Sequence, residues 1–172
     1  RSLQRIYESD RTYKYLLSYN SCISESDRTT SNCEYYYKYN GLYKCASASD
    51  CDHEGYKYLI NSECSNKCNN NEYKFKKSIT TGTPSVNLDF MKCLSSLSDC
   101  YTEAGATTPI YYHENLRMCW TEYQHGYYIK SVNSNIYELI AQCDNYYYLN
   151  EQDHYNYCID SCINQGLYFS KG

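Results

Sequence analysis

Cysteine spacing constrains this chain more than any other feature. The stretch from Cys45 to Cys68, CASASDCDHEGYKYLINSECSNKC, holds a cysteine pair, a short polar run, a tyrosine-rich patch and a second cysteine pair, and its parts recur along the sequence. Aromatic copies stand at GYKY 55–58, EYKF 72–75, IYY 110–112, GYYI 126–129, YYYL 146–149 and GLYF 166–169. A loosely phased repeat of this kind predicts a row of small fingers, each too small to bury a core alone. Half-cystines staple each finger at its base, and tyrosines from its own face and its neighbour's cover it.

The cysteines are Cys22, Cys33, Cys45, Cys51, Cys64, Cys68, Cys93, Cys100, Cys119, Cys143, Cys158 and Cys162. Their number is even, with no Cys-x-x-Cys and no alternation with histidine. They read as a disulfide set formed in an oxidising compartment, all twelve bridged, which places the protein outside the cell or at its surface. The motifs CASASDCDHEGYKYLINSEC, CSNKCNNNEYKF and CIDSCINQGLYF resemble the Cys-x-x-x-Cys…Gly-Tyr-Tyr units of furin-like and EGF-like cysteine-rich repeats in protist, especially ciliate, surface proteins. The resemblance spans roughly residues 33–172 and implies an extracellular, disulfide-stapled, non-catalytic surface role.

Composition decides what fills the core. Leu, Ile, Val and Phe together number only 27, too few for an ordinary globule of 172 residues. Net charge is a modest −4, however, and 25 tyrosines supply the missing apolar area while keeping their hydroxyls wet or hydrogen-bonded. The expected fold is therefore small, disulfide-rich and mainly β: an elongated array of short hairpin fingers with one or two short helices. Residues 1–86 carry 12 basic and 10 acidic side chains, residues 87–172 carry 4 and 10. An acidic total without a basic stripe argues against nucleic acid as a partner. The sequence starts at Arg1 with neither an apolar signal region nor a membrane-spanning run, and so reads as a mature segment with any anchor outside it.

Local patterns place the elements. Tyr13, Tyr15, Leu17 and Tyr19 alternate with Lys14, Leu16, Ser18 and Asn20 as in a strand that no disulfide loop encloses, so residues 1–21 read as an arm ahead of a cysteine-rich domain, 22–172. Asn40-Gly41 between tyrosine runs predicts a two-residue hairpin over 33–45, whose register sets Cys45 opposite Tyr36 and gives Cys33 and Cys45 separate partners. Helical spacing of Leu88, Phe90, Met91, Leu94 and Leu97 after Thr83-Pro84-Ser85 predicts the main helix over 86–100, with Cys93 and Cys100 in different bridges. A second helix is expected at 135–142. A hairpin over 146–158 would bring Cys143 and Cys158 together.

Nothing in the sequence reads as an active centre. His53, His113, His125 and His154 each stand without a second ligand at metal or dyad spacing, and Asp50 to Gly55 opens like a calcium loop but has Asn61 where a bidentate Glu is needed. We expect no enzyme, no cofactor and no metal. In a strand, consecutive tyrosines point to opposite faces, so about half of each tyrosine run lies outside the core. The leading expectation is a structural subunit of a filament, coat or surface appendage that assembles with copies of itself, the arm bearing Tyr13, Tyr15, Leu17 and Tyr19 reaching into a neighbour. The alternative is a glycan-binding adhesin or receptor ectodomain using Trp120, Tyr127, Tyr128, Tyr146, Tyr147 and Tyr148 as a sugar platform.

Overall fold

The computed structural model describes residues 13–18, 21–105 and 107–161. Among these the chain is mainly β, with fourteen strands and two short helices. The strands form seven hairpins in chain order: β1 (Tyr13–Ser18) with β2 (Ser21–Ser24), β3 (Tyr35–Tyr39) with β4 (Leu42–Ala46), β5 (Tyr58–Ile60) with β6 (Glu63–Ser65), β7 (Tyr73–Thr81) with β8 (Val86–Leu94), β9 (Ile110–His113) with β10 (Met118–Trp120), β11 (Tyr128–Asn133) with β12 (Ile136–Ile140), and β13 (Tyr146–Leu149) with β14 (Asn156–Ile159). Helix α1 (Ala48–His53) follows the second hairpin and α2 (Leu97–Ala104) the fourth. The chain divides into two compact units, residues 1–70 with 76–93 and residues 71–75 with 94–172.

One joint recurs in both units. The second strand of each hairpin runs parallel to the first strand of the hairpin before it: β4 beside β1, β6 beside β3 and β8 beside β5 in the first unit, β12 beside β9 and β14 beside β11 in the second. The second unit also pairs β10 with the opening residues of β7, through Met118 to Lys74 and Cys119 to Phe75. Within each unit a finger is thus antiparallel inside and parallel to its neighbour, which is how hairpins linked by short segments stack without crossing connections.

Turn chemistry sets the hairpins. Asn40 and Gly41 hold φ of 49° and 78°, the left-handed pair that a tight two-residue hairpin requires, and Tyr39 lies opposite Leu42 as the sequence predicts. Open space surrounds the position a Gly41 Cβ would occupy, so conformation and not crowding selects glycine there. Ser134, at φ 56°, turns β11 into β12.

The bridges follow a second rule. Cys33–Cys45, Cys51–Cys64, Cys68–Cys93, Cys100–Cys119 and Cys143–Cys158 each join the segment ahead of a hairpin to that hairpin's second strand. Cys143–Cys158 is the expected bridge, and Cys93 and Cys100 have different partners as expected. The separation of Cys33 from Cys45 is corrected. Cys33 lies before β3, where its amide hydrogen-bonds the Thr29 carbonyl, and the turn brings its Cα to 5.0 Å from that of Cys45. Cys22 is a free, half-buried thiol, so the expectation of a fully bridged set fails there, and Cys162 lies outside the described residues.

Both expected helices are corrected. Residues 86–94 are strand: Leu88 is half-buried and Phe90 is 1% exposed, while Asn87 and Asp89 receive hydrogen bonds from Thr80 and Ser78 on β7. Residues 136–140 are strand β12, because Ser134-Asn135 acts as a hairpin turn and not as a helix cap. The actual helices start at Ser47-Ala-Ser-Asp50-Cys51 and Ser96-Leu-Ser-Asp99-Cys100, where each leading serine accepts the backbone N–H three residues on, and each helix carries a half-cystine into the core. The arm is corrected too: over Tyr13–Ser18 it pairs with β2 and β4, and Tyr15 is buried against Tyr36 and Tyr43 of its own unit.

Candidate functional site

Three clusters form the core, and they show where aromatic surface is spent. In the first unit Tyr37, Ala48, Leu59 and Phe90 close around Cys51–Cys64. In the second, Tyr73, Phe75, Leu94 and Ile110 close around Cys100–Cys119, while Tyr111, Tyr123, Ile129 and Leu139 form a cluster with no sulfur in it. Trp120, Tyr127, Tyr137, Tyr155 and Tyr157 pack against this last group. Burial pushes the Tyr111 hydroxyl well above the usual phenolic range, helped by its hydrogen bond to Tyr155. Tyr157 is pushed up in the same way by burial and by the Asp153 carboxylate 2.8 Å from its hydroxyl.

The expected sugar platform is therefore split. Trp120 is half-buried, with its ring 6.5 Å from that of Tyr127, and Tyr127 also meets His113 edge-on. Tyr148 stacks on Tyr157, and Tyr128 meets Tyr147 edge-on. What reaches solvent is one strand: on β13, Tyr146, Tyr147 and Leu149 are 46%, 57% and 55% exposed. Among the described residues this strand is hydrogen-bonded on one side only, to β14, so it closes the second unit's ladder with an open backbone edge. In the arm, Leu17 is half-buried, nothing is described of the Tyr13 side chain, and Tyr19 lies outside the described residues.

Polar clefts open in each of the two units. One of about 460 Å³ lies in the first unit, lined by Lys38, Tyr56, Glu63, Asn66 and Lys67, with the Lys38 ammonium 3.7 Å from the Glu63 carboxylate. The other, about 350 Å³, lies beside β14 and is lined by Lys130, Asp144 and Asp160. Cys68, Glu72 and Cys93 lie close enough together to suggest a metal site, but the two sulfurs are bonded to each other and are not available as thiolates. Asp50 and Asp52, the opening of the calcium-like run, are engaged elsewhere. Asp50 holds Ser47 at the start of α1, which keeps its carboxyl below the usual range, and Asp52 pairs with Lys57.

No family model matches the chain, and no curated protein or solved structure is found to resemble it. Among the described residues no helix is long and apolar enough to cross a membrane.

Proposed function

We propose that this chain is an extracellular structural protein, a non-catalytic subunit that assembles with copies of itself into a filament, coat or surface appendage. The observation that carries the reading is the exposed edge at β13. Every hairpin joint in the fold is made by laying the second strand of one hairpin beside the first strand of another, and β13 presents such a first strand, with apolar side chains, to solvent. Open, apolar edges are surfaces on which strands add. Five disulfides suit a compartment where thiols stay oxidised.

The test is purified, non-reduced chain examined by sedimentation velocity and negative-stain imaging over rising concentration. Regular particles are expected, and a chain that stays monomeric throughout refutes the reading. A glycan adhesin remains the second reading, favoured by the exposed Tyr147 ring set edge-on to Tyr128. It predicts capture of monomer on a glycan array that Tyr147→Ala abolishes, with Trp120→Ala acting only through the fold.

A further inference from the structure

We propose that Tyr128 and Tyr147 are a cross-linking site: a haem peroxidase acting with hydrogen peroxide joins their phenol rings, ortho carbon to ortho carbon, within one chain. The inference goes beyond the assembly reading and holds whether or not copies associate. Strand order brings the rings together. Tyr147 lies opposite Cys158 on β14, and β14 runs beside β11 with Tyr157 opposite Ile129. Ile129 is buried in the core, so Tyr128 just before it projects from the other face, the face that Tyr147 shares with Cys158. The two rings therefore meet over β14, with centroids 4.9 Å apart and planes at 63°.

Reach and geometry favour this pair. Coupling needs one ring that an enzyme can oxidise from outside and a second already lying against it. Tyr147 is exposed and Tyr128 is half-buried beneath it. Tighter contacts exist at Tyr123–Tyr155, 4.2 Å, and Tyr111–Tyr137, 4.8 Å, but Tyr123 and Tyr111 are buried and each pair is stacked inside the core. Tyr148 stacks on half-buried Tyr157, whose hydroxyl is held by Asp153. At Tyr128–Tyr147 the contact is edge-on, and the soft aryl torsion of an exposed tyrosine lets its ortho carbon turn inward. Each phenol gives up one electron and its hydroxyl proton. The two phenoxyl radicals then pair as a carbon–carbon bond, and the hydrogens on the joined carbons return to the oxygens as protons. Two electrons and two protons in all pass to hydrogen peroxide, which leaves as two waters. The product ties β13 to β11 across β14 by a bond that no thiol reductant opens, next to the Cys143–Cys158 bridge that a reductant does open.

The experiment treats a dilute, equal mixture of isotope-labelled and unlabelled full chain, non-reduced, with a haem peroxidase and limiting hydrogen peroxide, and maps the digest. The expected product is a monomer lighter by two hydrogens, with biphenol fluorescence and a peptide joining Tyr128 to Tyr147 that carries no hybrid mass. Tyr147→Phe keeps the ring but cannot form the phenoxyl radical, and should lower the yield of coupled monomer about tenfold or more, because the oriented pair reacts at an effective molarity far above that of chains in solution. Its five bridges, read from the same digest, show that it has folded. Tyr146→Phe, which alters the exposed neighbour on the opposite face of β13, should leave the yield unchanged. A 128–147 peptide of hybrid mass overturns the inference, as does a first cross-link that joins other tyrosines or an absence of coupling. Equal preference for 128–147 in the reduced, unfolded chain overturns it too, since the fold would then not be what pairs the rings. Assembly is read separately, by sedimentation of untreated chain, and stands or falls on its own.

Discussion

Two hairpin joints, one in each unit, solve one problem in different ways. Where the segment after the second hairpin meets the third, α1 delivers Cys51 to Cys64 on β6, and the bridge sits at the centre of an apolar cluster. Where the segment after the fifth meets the sixth, the corresponding positions hold Tyr123 and Leu139. Tyr123 follows Cys119 by the spacing at which Cys68 follows Cys64, and Leu139 faces Ile129 on β11 as Cys64 faces Leu59 on β5. Both are buried, at 7% and 0% exposure, and the surrounding rings fill the space: Tyr123 stacks on Tyr155 at 4.2 Å and donates its hydroxyl to the Tyr127 carbonyl. The staple is thus one way of filling a position that an aromatic and a leucine also fill. The joint depends on that position being filled, by sulfur or by carbon.

The largest effect is expected where carbon alone does the filling. Leu139→Ala removes a fully buried side chain from a joint with no covalent reserve and should cost about 2–5 kcal/mol of unfolding free energy, read from denaturant titration. At the stapled joint, Cys51→Ala with Cys64→Ala should cost about 2–4 kcal/mol, mostly through the freed unfolded chain. If Leu139→Ala costs less than about 1 kcal/mol, packing is not what holds the sixth hairpin and the comparison breaks.

Much of this was legible in the sequence, and the parts that were not share a cause. The Asn40-Gly41 hairpin and the Cys143–Cys158 bridge could be read because turn residues and cysteines there have one structural use each. Ser134-Asn135 has two, helix cap or hairpin turn, and only pairing with β11 decides between them. In 86–94 the alternation of Val86, Leu88 and Phe90 with Asn87 and Asp89 was present in the sequence but masked by Met91 and Leu94 at helical spacing. The repeated Ser-x-Ser-Asp-Cys is a visible helix-start signal, a capping serine three residues ahead of an aspartate and four ahead of a half-cystine. The exposed edge at β13 could not be read at all, because YYYL looks the same in the middle of a sheet as at its end, and only strand order separates the two.

The two joints should also fail under opposite chemistry. At neutral pH a thiol reductant opens Cys51–Cys64 and leaves the Tyr123–Leu139 joint its contacts. Alkali weighs more on the carbon joint, where two tyrosines are raised against Tyr35 alone beside the stapled cluster. Tyr111 and Tyr157, packed at the carbon joint, ionise above the usual phenolic value in the folded state, whereas the unfolded chain ionises near pH 10. Above that pH the unfolded state sheds protons that the folded state still holds. The stability they contribute is therefore complete below about pH 10 and is lost as pH rises toward the folded values. Tyrosinate absorbance against pH should show a late, cooperative step. Hydrogen exchange in the same samples should show β11, β12 and β14 opening with it, before β5 and β6. Simultaneous opening of both regions would mean that the aromatic cluster has no local stability of its own.

The smallest expected change in stability is also the sharpest test of equivalence between the joints. If Tyr123 and Leu139 occupy a half-cystine pair's positions, Tyr123→Cys with Leu139→Cys should close a sixth bridge without a designed change in backbone. Closing a loop of about 16 residues contributes about 3 kcal/mol through the unfolded chain. Removing the leucine and the tyrosine ring forfeits more burial than that, part of which the half-cystines refill, and Tyr155 loses its stacking partner. The bridge should offset part of that loss, so the oxidised variant falls short of the parent by less than Leu139→Ala does and lies about 3 kcal/mol above its own reduced form. Intact mass and a non-reduced 123–139 peptide read the bridge directly. If the two thiols stay free in a protein that otherwise folds with its five native bridges, then Tyr123 and Leu139 do not stand in for a staple. The sixth hairpin would then be docked by a geometry of its own.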